Sequence, residues 1–199
     1  MKNHLVSPNM VNIVIDNGGG KLKYGIAGES EPKSVTNSVA KVNKTMQYLV
    51  GDQIDDFQNG SLLNFNRPFD RGYLNNWQSE MEVWNQILFS KSLKCKPADD
   101  NLILTEAIFS PETIQNDTNE VVFEYFGFNQ YLRRPAPCFS AYEHHHSSPI
   151  QASALNSCLV IDSGFSFSHV VPFVDGICQK HAVSDLTCLH VLKLDNALR

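Results

Sequence analysis

Residues 13–20 read IVIDNGGG and run on through Lys21, Leu22, Lys23, Tyr24 and Gly25; a near copy, LVIDSGF, occupies residues 159–165. Each phrase is an apolar, largely β-branched run that ends in an aspartate, one polar residue and glycine. The apolar residues bury a strand and carry the aspartate to its exposed end. Glycine then lets the backbone turn sharply and approach an anion with no Cβ in the way. Residues 22–27 read as the antiparallel return, so the phrase predicts a hairpin with a glycine-rich tip. Its recurrence in a matching strand context points to one physical role for both copies, the cradling of phosphate.

That reading assigns candidate residues. Backbone N–H groups of Asn17, Gly18, Gly19 and Gly20 would face phosphate oxygens at the first tip, and those of Ser163 and Gly164 at the second. Asp16 and Asp162, acceptor-only when ionised, suit Mg²⁺ held through its water shell, because this ion dehydrates reluctantly. Lys23, just past the first tip, would bring an ammonium to the β- and γ-phosphates. The spacing is not a Walker A loop: GGGK lacks G-x-x-x-x-G-K-[ST], and no helix signal follows it directly. For either copy alone, an ordinary hairpin with a glycine turn is the alternative.

The chain has 199 residues, 42% of them hydrophobic, enough for one large domain or two small ones with a packed core. A formal net charge of -5 with no basic run longer than Arg133-Arg134 offers no electrostatic footprint for phosphate backbones or anionic lipid. No sequence-specific DNA contact and no membrane partner are expected. The five cysteines (Cys95, Cys138, Cys158, Cys178 and Cys188) form no C-x-x-C pair, and their odd number argues for reduced thiols inside a cell. No apolar stretch approaches the ~20 residues of a membrane helix, and MKNHLVSPNM lacks the apolar middle of a signal peptide.

Along the chain, residues 28–69 are polar and turn-rich and read as an insertion, with one strand at 46–50 and loop with short structure over 52–66. Asn75-Asn76 caps a helix whose Trp77, Met81, Trp84 and Leu88 recur at helical spacing, a core stripe. Residues 102–105 (LILT) form a short buried strand, 113–126 a second helix with Val122 and Phe126 on one face, and 137–145 a third; a new hairpin starts at Cys158. Helices alternating with strands define an α/β domain. His144-His145-His146 reads as a solvated helix end, and Asp55-Asp56 and Asp99-Asp100 as solvated loops. Glu106 reads as a strand-end hydrogen-bonding residue rather than a base.

With these residues in view, IVIDNGGGKLKYGIAG resembles the first phosphate loop of the actin superfamily and LVIDSGFSFSHVVPF the second, with His169 and Pro172 in family positions. Between them, RPFDRGYLNNWQSEMEVWNQILF and NLILTEAIFSPETIQNDTNEVVFEYFGF are similar to the helix and strand segments of the first actin domain, and the likeness runs from about Val11 to Val183. It implies an actin-like, ribonuclease-H-like α/β fold of the actin-type ATPase class with a mixed sheet. The expected divisions are an N-terminal tail over 1–10, the first actin-like domain over 11–155, the first hairpin of the second domain over 156–183, and a divergent tail over 184–199. After Val183 the text leaves the family pattern, so a truncated chain is expected, with a hairpin that must dock or find a partner because two strands alone are marginal in water.

The family has a small hydroxyl residue at the place of Gly19, an acidic residue and then glycine at Phe165 and Ser166, and a water-orienting glutamine near Ala136. All three differ here, which implies that hydrolysis is lost. The second loop, aspartate-serine-glycine-aromatic at Asp162, Ser163, Gly164 and Phe165, resembles a branch of actin relatives found in nuclear chromatin-remodelling complexes that exchange a core histone for its Z-type variant. The resemblance therefore implies a non-catalytic scaffold subunit in the nucleus, with the cytoplasm as a second location. Its implied partners are the other subunits of that complex, with nucleosome and histones contacted indirectly. No cofactor is required, ATP and Mg²⁺ being reserved for a full-length form. Two rivals stay open: an actin-fold ATPase using Asp16, Asp162 and Lys23, and a cytoskeletal actin relative.

Overall fold

Strand β1 (Asn12–Asn17) alternates as the sequence demands, with Ile13 and Ile15 fully buried on one face and Asp16 delivered to its C-terminal end. The computed structural model describes residues 10–43, 45–147 and 157–186. The chain divides into two compact units, one of residues 1–105 and 109–133 and the other of 106–108 and 134–199. The third helix and the second hairpin thus fall in the same unit.

In the first unit, β2 (Lys21–Ile26) returns antiparallel to β1, with Asp16 opposite Lys23. The polar stretch read as an insertion carries more strands than the one expected at 46–50. It contains β3 (Lys33–Thr36), paired antiparallel to β2, then β4 (Val39–Val42), β5 (Tyr48–Val50), the short helix α1 (Asp52–Asp55) and β6 (Leu63–Asn66). Strands β5, β4 and β6 make a small sheet of their own over a core of Ala40, Val42, Leu49 and Ile54. Few apolar residues suffice because only one face of this sheet is covered, and the exposed face carries the polar text.

A two-stranded hairpin, β7 (Phe69–Asp70) and β8 (Tyr73–Leu74), leads into α2 (Trp77–Leu88), where Asn76 Oδ1 accepts the Ser79 N–H at 3.1 Å as the predicted cap. The buried stripe is rotated from the expected one. Val83, Trp84, Ile87 and Leu88 face the core together with Ser79 and the carboxyl of Glu80, while Trp77 and Met81 lie half-buried at its margin. Strand β9 (Asn101–Glu106) lies parallel to β1, so the chain between them must cross over, and α2 is part of that crossover. The second helix is two pieces: α3 (Glu112–Glu120) and a π-helical turn (Val121–Tyr125) that sets Val122 and Phe126 into the core. Strand β10 (Tyr131–Pro135), absent from the sequence reading, completes a mixed sheet of order β10-β9-β1-β2-β3. The core behind it joins Ile13, Ile15, Leu22, Trp84, Leu102 and Leu104.

In the second unit, α4 (Ala136–Ser147) accompanies β11 (Cys158–Ser163) and β12 (Ser168–Val174), the hairpin predicted from LVIDSGF. Asp175 and Gly176, both at positive φ, turn the chain into β13 (Ile177–Cys178) as a two-residue hairpin loop. The stretch read as a divergent tail begins with a strand: β14 (Ser184–Leu186) pairs antiparallel with β12. The hairpin is therefore part of a four-stranded sheet, with Ile108, Val171 and Phe173 buried and Cys138, Ala141, Cys158 and Cys178 packed around them. Residues 187–199 lie outside the described residues.

One aspartate of each pair read as a solvated loop is put to structural use. Asp100 is buried and accepts the N–H groups of Val11 at 3.2 Å and Lys96 at 2.8 Å. Asp55 accepts both the N–H and the hydroxyl of Thr36, at 3.0 and 2.6 Å.

Candidate functional site

Because β1 and β9 run parallel with Ile15 beside Leu104, the next residues along, Asp16 and Thr105, arrive together at the same end of the sheet. The Thr105 hydroxyl donates to Asp16 Oδ1 at 2.8 Å and accepts the Asn17 N–H at 2.8 Å. Lys23 donates from Nζ to Asp16 Oδ2 at 3.3 Å across the hairpin. Both carboxylate oxygens are thus engaged, one by a neutral brace and one by a half-exposed ion pair. On the sheet face away from the core, Asp16 and Lys23 border an open depression of about 360 Å³ whose walls include Val14, Tyr24, Glu29 and Pro32.

The tip itself is held from below. The Gly18 N–H closes on the Asp16 carbonyl at 3.0 Å. Asn37, fully buried in the turn between β3 and β4, takes hold of the tip twice. Its backbone N–H donates to the Gly20 carbonyl at 3.1 Å and its side-chain Nδ2 to the Gly18 carbonyl at 3.1 Å. Under Asn17, the Trp84 indole N–H donates to Glu80 Oε1 at 2.9 Å and reaches Asn17 Oδ1 at 3.3 Å. Burial pushes the Glu80 carboxyl up to about 7, with hydrogen bonds from Asn17, Asn37 and Trp84 offsetting part of the effect.

Space, not backbone dihedral, explains the glycines. A Cβ on Gly18 would stand 2.5 Å from the Lys21 carbonyl oxygen, and one on Gly19 would stand 3.2 Å from the Cβ of Phe69. At Gly19 any side chain would therefore crowd Phe69, which would have to give by a few tenths of an ångström.

In the second unit, Asp162 stands opposite His169 and Ser163 opposite Ser168 in the β11–β12 register, with the two serine hydroxyls 2.9 Å apart. The tip closes through the Gly164 N–H and the Phe167 carbonyl at 2.8 Å, and Phe165 is exposed on it. His169 Nδ1 pairs with Asp185 of β14, so His169 lies between Asp162 and Asp185 in one cross-strand row. The structure thus brings Asp16, Asn17, Gly18, Gly19, Gly20 and Lys23 together in one unit, and Asp162, Ser163 and Gly164 in the other.

Metal chemistry can be tested on the donors present. Among the described residues no group of three or more His, Cys, Asp or Glu would hold a metal ion. With both oxygens of Asp16 already engaged, the residues do not fit a directly ligated cation. Asp16 suits Mg²⁺ only across a water shell. His144, His145 and His146 are exposed at the end of α4, where His146 stacks on Tyr142 with ring centroids 3.9 Å apart.

Sequence reading missed Asn37, Thr105, Glu80 and Phe69. Only Thr105 carries a usable signal, since it follows a buried strand that a parallel partner of β1 must resemble. The other three act through contacts far away in sequence.

A mixed sheet with a central parallel pair, opened by a hairpin whose glycine tip displays an aspartate and a lysine, is the plan of an actin-type domain. The chain matches the actin family over residues 7–188 and belongs to that family. Curated relatives that it matches include proteins named actin-related protein 6. It is 35% identical to the actin-like protein ARP6 of Cryptococcus neoformans over 169 residues, 82% of this chain and 34% of the relative. It is 34% identical to actin-related protein 6 of Drosophila melanogaster, over 82% of this chain and 42% of the relative. Against actin-related protein 6 of Arabidopsis thaliana the identity is 35% over 180 residues, 86% of this chain and 42% of the relative. The chain therefore spans well under half the length of the curated relatives it matches.

Proposed function

We propose that this chain is a non-catalytic, actin-fold scaffold of a nuclear chromatin-remodelling complex that exchanges a core histone for its Z-type variant, with the cytoplasm as a second location. The observation that carries the non-catalytic part is the packing at Gly19. Its Cα faces the Phe69 side chain closely enough that a hydroxyl-bearing residue there would crowd it. A group that would grip a terminal phosphate is thus replaced by an apolar contact, and Phe165 at the second tip supplies a ring in place of a polar loop residue. The family likeness to proteins named actin-related protein 6 supports the scaffold part. Its partners in this reading are the other subunits of the complex, with nucleosome and histones reached through them.

The test is to recover the tagged chain from its own cells and identify what accompanies it. Recovery of the remodelling motor subunit and the Z-type histone is the expected result. Recovery with cytoskeletal actin and its regulators, and without the motor, would replace the scaffold reading with the cytoskeletal one.

A second reading is favoured by one observation, the retained Asp16–Lys23 pair beside the tip. Under it the hairpin still binds Mg-ATP without turning it over, Lys23 meeting phosphate and Asp16 the water shell of the ion. Bound ligand would raise the melting temperature in proportion to ln(1 + [L]/Kd). A shift with Mg-ATP that disappears in Asp16→Asn supports this reading, and no shift at millimolar nucleotide ends it.

A further inference from the structure

Beneath the first tip, two fully buried acceptor atoms have no donor among the described residues: Asn37 Oδ1 and Glu80 Oε2. They belong to groups already in contact on their other atoms, since Asn37 Nδ2 lies 3.5 Å from Glu80 Oε1, a long hydrogen bond. The orientation of the Asn37 amide is not interchangeable. The Gly18 carbonyl is an acceptor only, and it requires Nδ2 on its side at 3.1 Å. Oδ1 must therefore find its proton elsewhere. The groups facing Glu80 are the amide of Asn17 on β1, the amide of Asn37 on the β3–β4 turn and the indole of Trp84 one turn along α2, all neutral. Asp16, the charged residue next to Asn17, is turned to Thr105 and Lys23. An ionised carboxylate at 0% exposure, with no cation facing it among the described residues, carries a large desolvation cost, and an unpaired Oε2 adds to that cost.

We propose that Glu80 is held in the folded chain as the neutral acid, its Oε2–H given to Asn37 Oδ1, and that this acid–amide pair is the latch that fixes the glycine tip. One proton satisfies both orphan atoms, since a carboxylic acid donates from one oxygen and accepts on the other, as a primary amide does from its own two ends. The Asn37 amide, held on one side by the acid, holds the Gly18 carbonyl on the other. Loss of the proton leaves two acceptors face to face, and Asn37 must turn or withdraw, releasing the tip. The shape of the loop is thereby tied to a single titration in the core. This inference does not depend on the scaffold reading.

Trp84 reports on the latch directly, because its N–H donates to the other oxygen of the same carboxyl. The chain has two tryptophans, so Trp77→Phe leaves Trp84 as the sole indole. In the whole chain carrying that change, Trp84 emission is expected to titrate with a midpoint near 7, and the Gly18 and Gly19 amide resonances are expected to move with the same midpoint. Glu80→Gln, which keeps a donor toward Asn37 and an acceptor toward Trp84, is expected to abolish both titrations while leaving the tip resonances at their mildly acidic positions. An infrared carbonyl band of a protonated carboxyl, present in the unmodified chain at mildly acidic pH and lost at alkaline pH, gives the same answer should the variant not fold. Absence of that band, flat emission and amide positions across neutral pH, or titrations that persist in Glu80→Gln would each overturn the latch and leave a carboxylate hydrated by buried water in its place.

Discussion

The hydroxyl of Thr105 bridges the ends of the two parallel strands, donating to Asp16 Oδ1 and accepting the Asn17 N–H, both at 2.8 Å. It fixes the candidate phosphate-loop aspartate and the first residue of the tip at once. Thr105→Val keeps the shape and deletes both bonds, leaving a part-buried N–H and a carboxylate oxygen short of a partner. The expected cost is about 1–3 kcal/mol in urea unfolding, while Thr105→Ser should recover most of it. Equal losses in the two variants would mean that the methyl group, not the hydroxyl, is what β9 requires.

The two tip glycines should not tolerate change equally. An added Cβ at Gly18 meets the backbone carbonyl of Lys21 at 2.5 Å, and the hairpin cannot move that atom without opening. At Gly19 the obstacle is the Phe69 side chain at 3.2 Å, which can give by a few tenths of an ångström. Gly18→Ala is expected to cost about 2–3 kcal/mol and Gly19→Ala about 1 kcal/mol or less. Gly19→Ser combined with Phe69→Gly, which removes the crowding Cβ and the ring behind it, should recover part of the Gly19→Ser loss, and strict additivity of those two changes would deny the contact.

What could be read without coordinates follows from how far each interaction reaches. The hairpins at Asp16 and Asp162 were legible because alternation, an aspartate and glycine lie within a few consecutive residues. The cap at Asn76 and the core position of Trp84 were legible for the same reason. Strands β3, β4 and β6 were not, because little of their sequence is apolar and their pairing partners are set by contacts outside each strand. Glu80 is the clearest failure. An acid in an amphipathic helix reads as solvent-facing, and nothing near it in sequence announces that Asn17 and Asn37 will close over it.

Thiol chemistry offers an independent check on packing. Burial pushes the Cys95 thiol up to about 12, and the nearby Asp100 carboxylate adds to the effect. The reactive species is the thiolate, so Cys95 should be inert in the folded chain and react only at the rate of unfolding. Cys138 and Cys178 are also raised, chiefly by burial, but both are partly exposed and Lys180 pulls each back down. Mass-mapped labelling with a thiol reagent should therefore find Cys95 the slowest of the three. Labelling of Cys95 as fast as Cys178 under native conditions would show that the helix α2 end of the core opens readily.

The Glu80 carboxyl also makes a prediction about overall stability, and its sign is opposite to that of most acidic residues. Its ordinary value is 4.5, and burial raises it to about 7 in the folded chain. Between those values the folded state keeps a proton that the unfolded state has released, so stability must fall as pH rises across the interval. The contribution is fully present below 4.5 and is lost as pH climbs through about 7. The span corresponds to roughly 3 kcal/mol. Glu80→Gln has no such proton to lose. The stability of the unmodified chain minus that of Glu80→Gln, taken from urea unfolding at a series of pH values, should therefore decline by about that amount from acid to alkaline conditions. Taking the difference cancels the other carboxylates and histidines common to both proteins. A difference that stays level with pH would mean that Glu80 is ionised in the folded chain and that the core at the glycine tip is wetter than its packing implies.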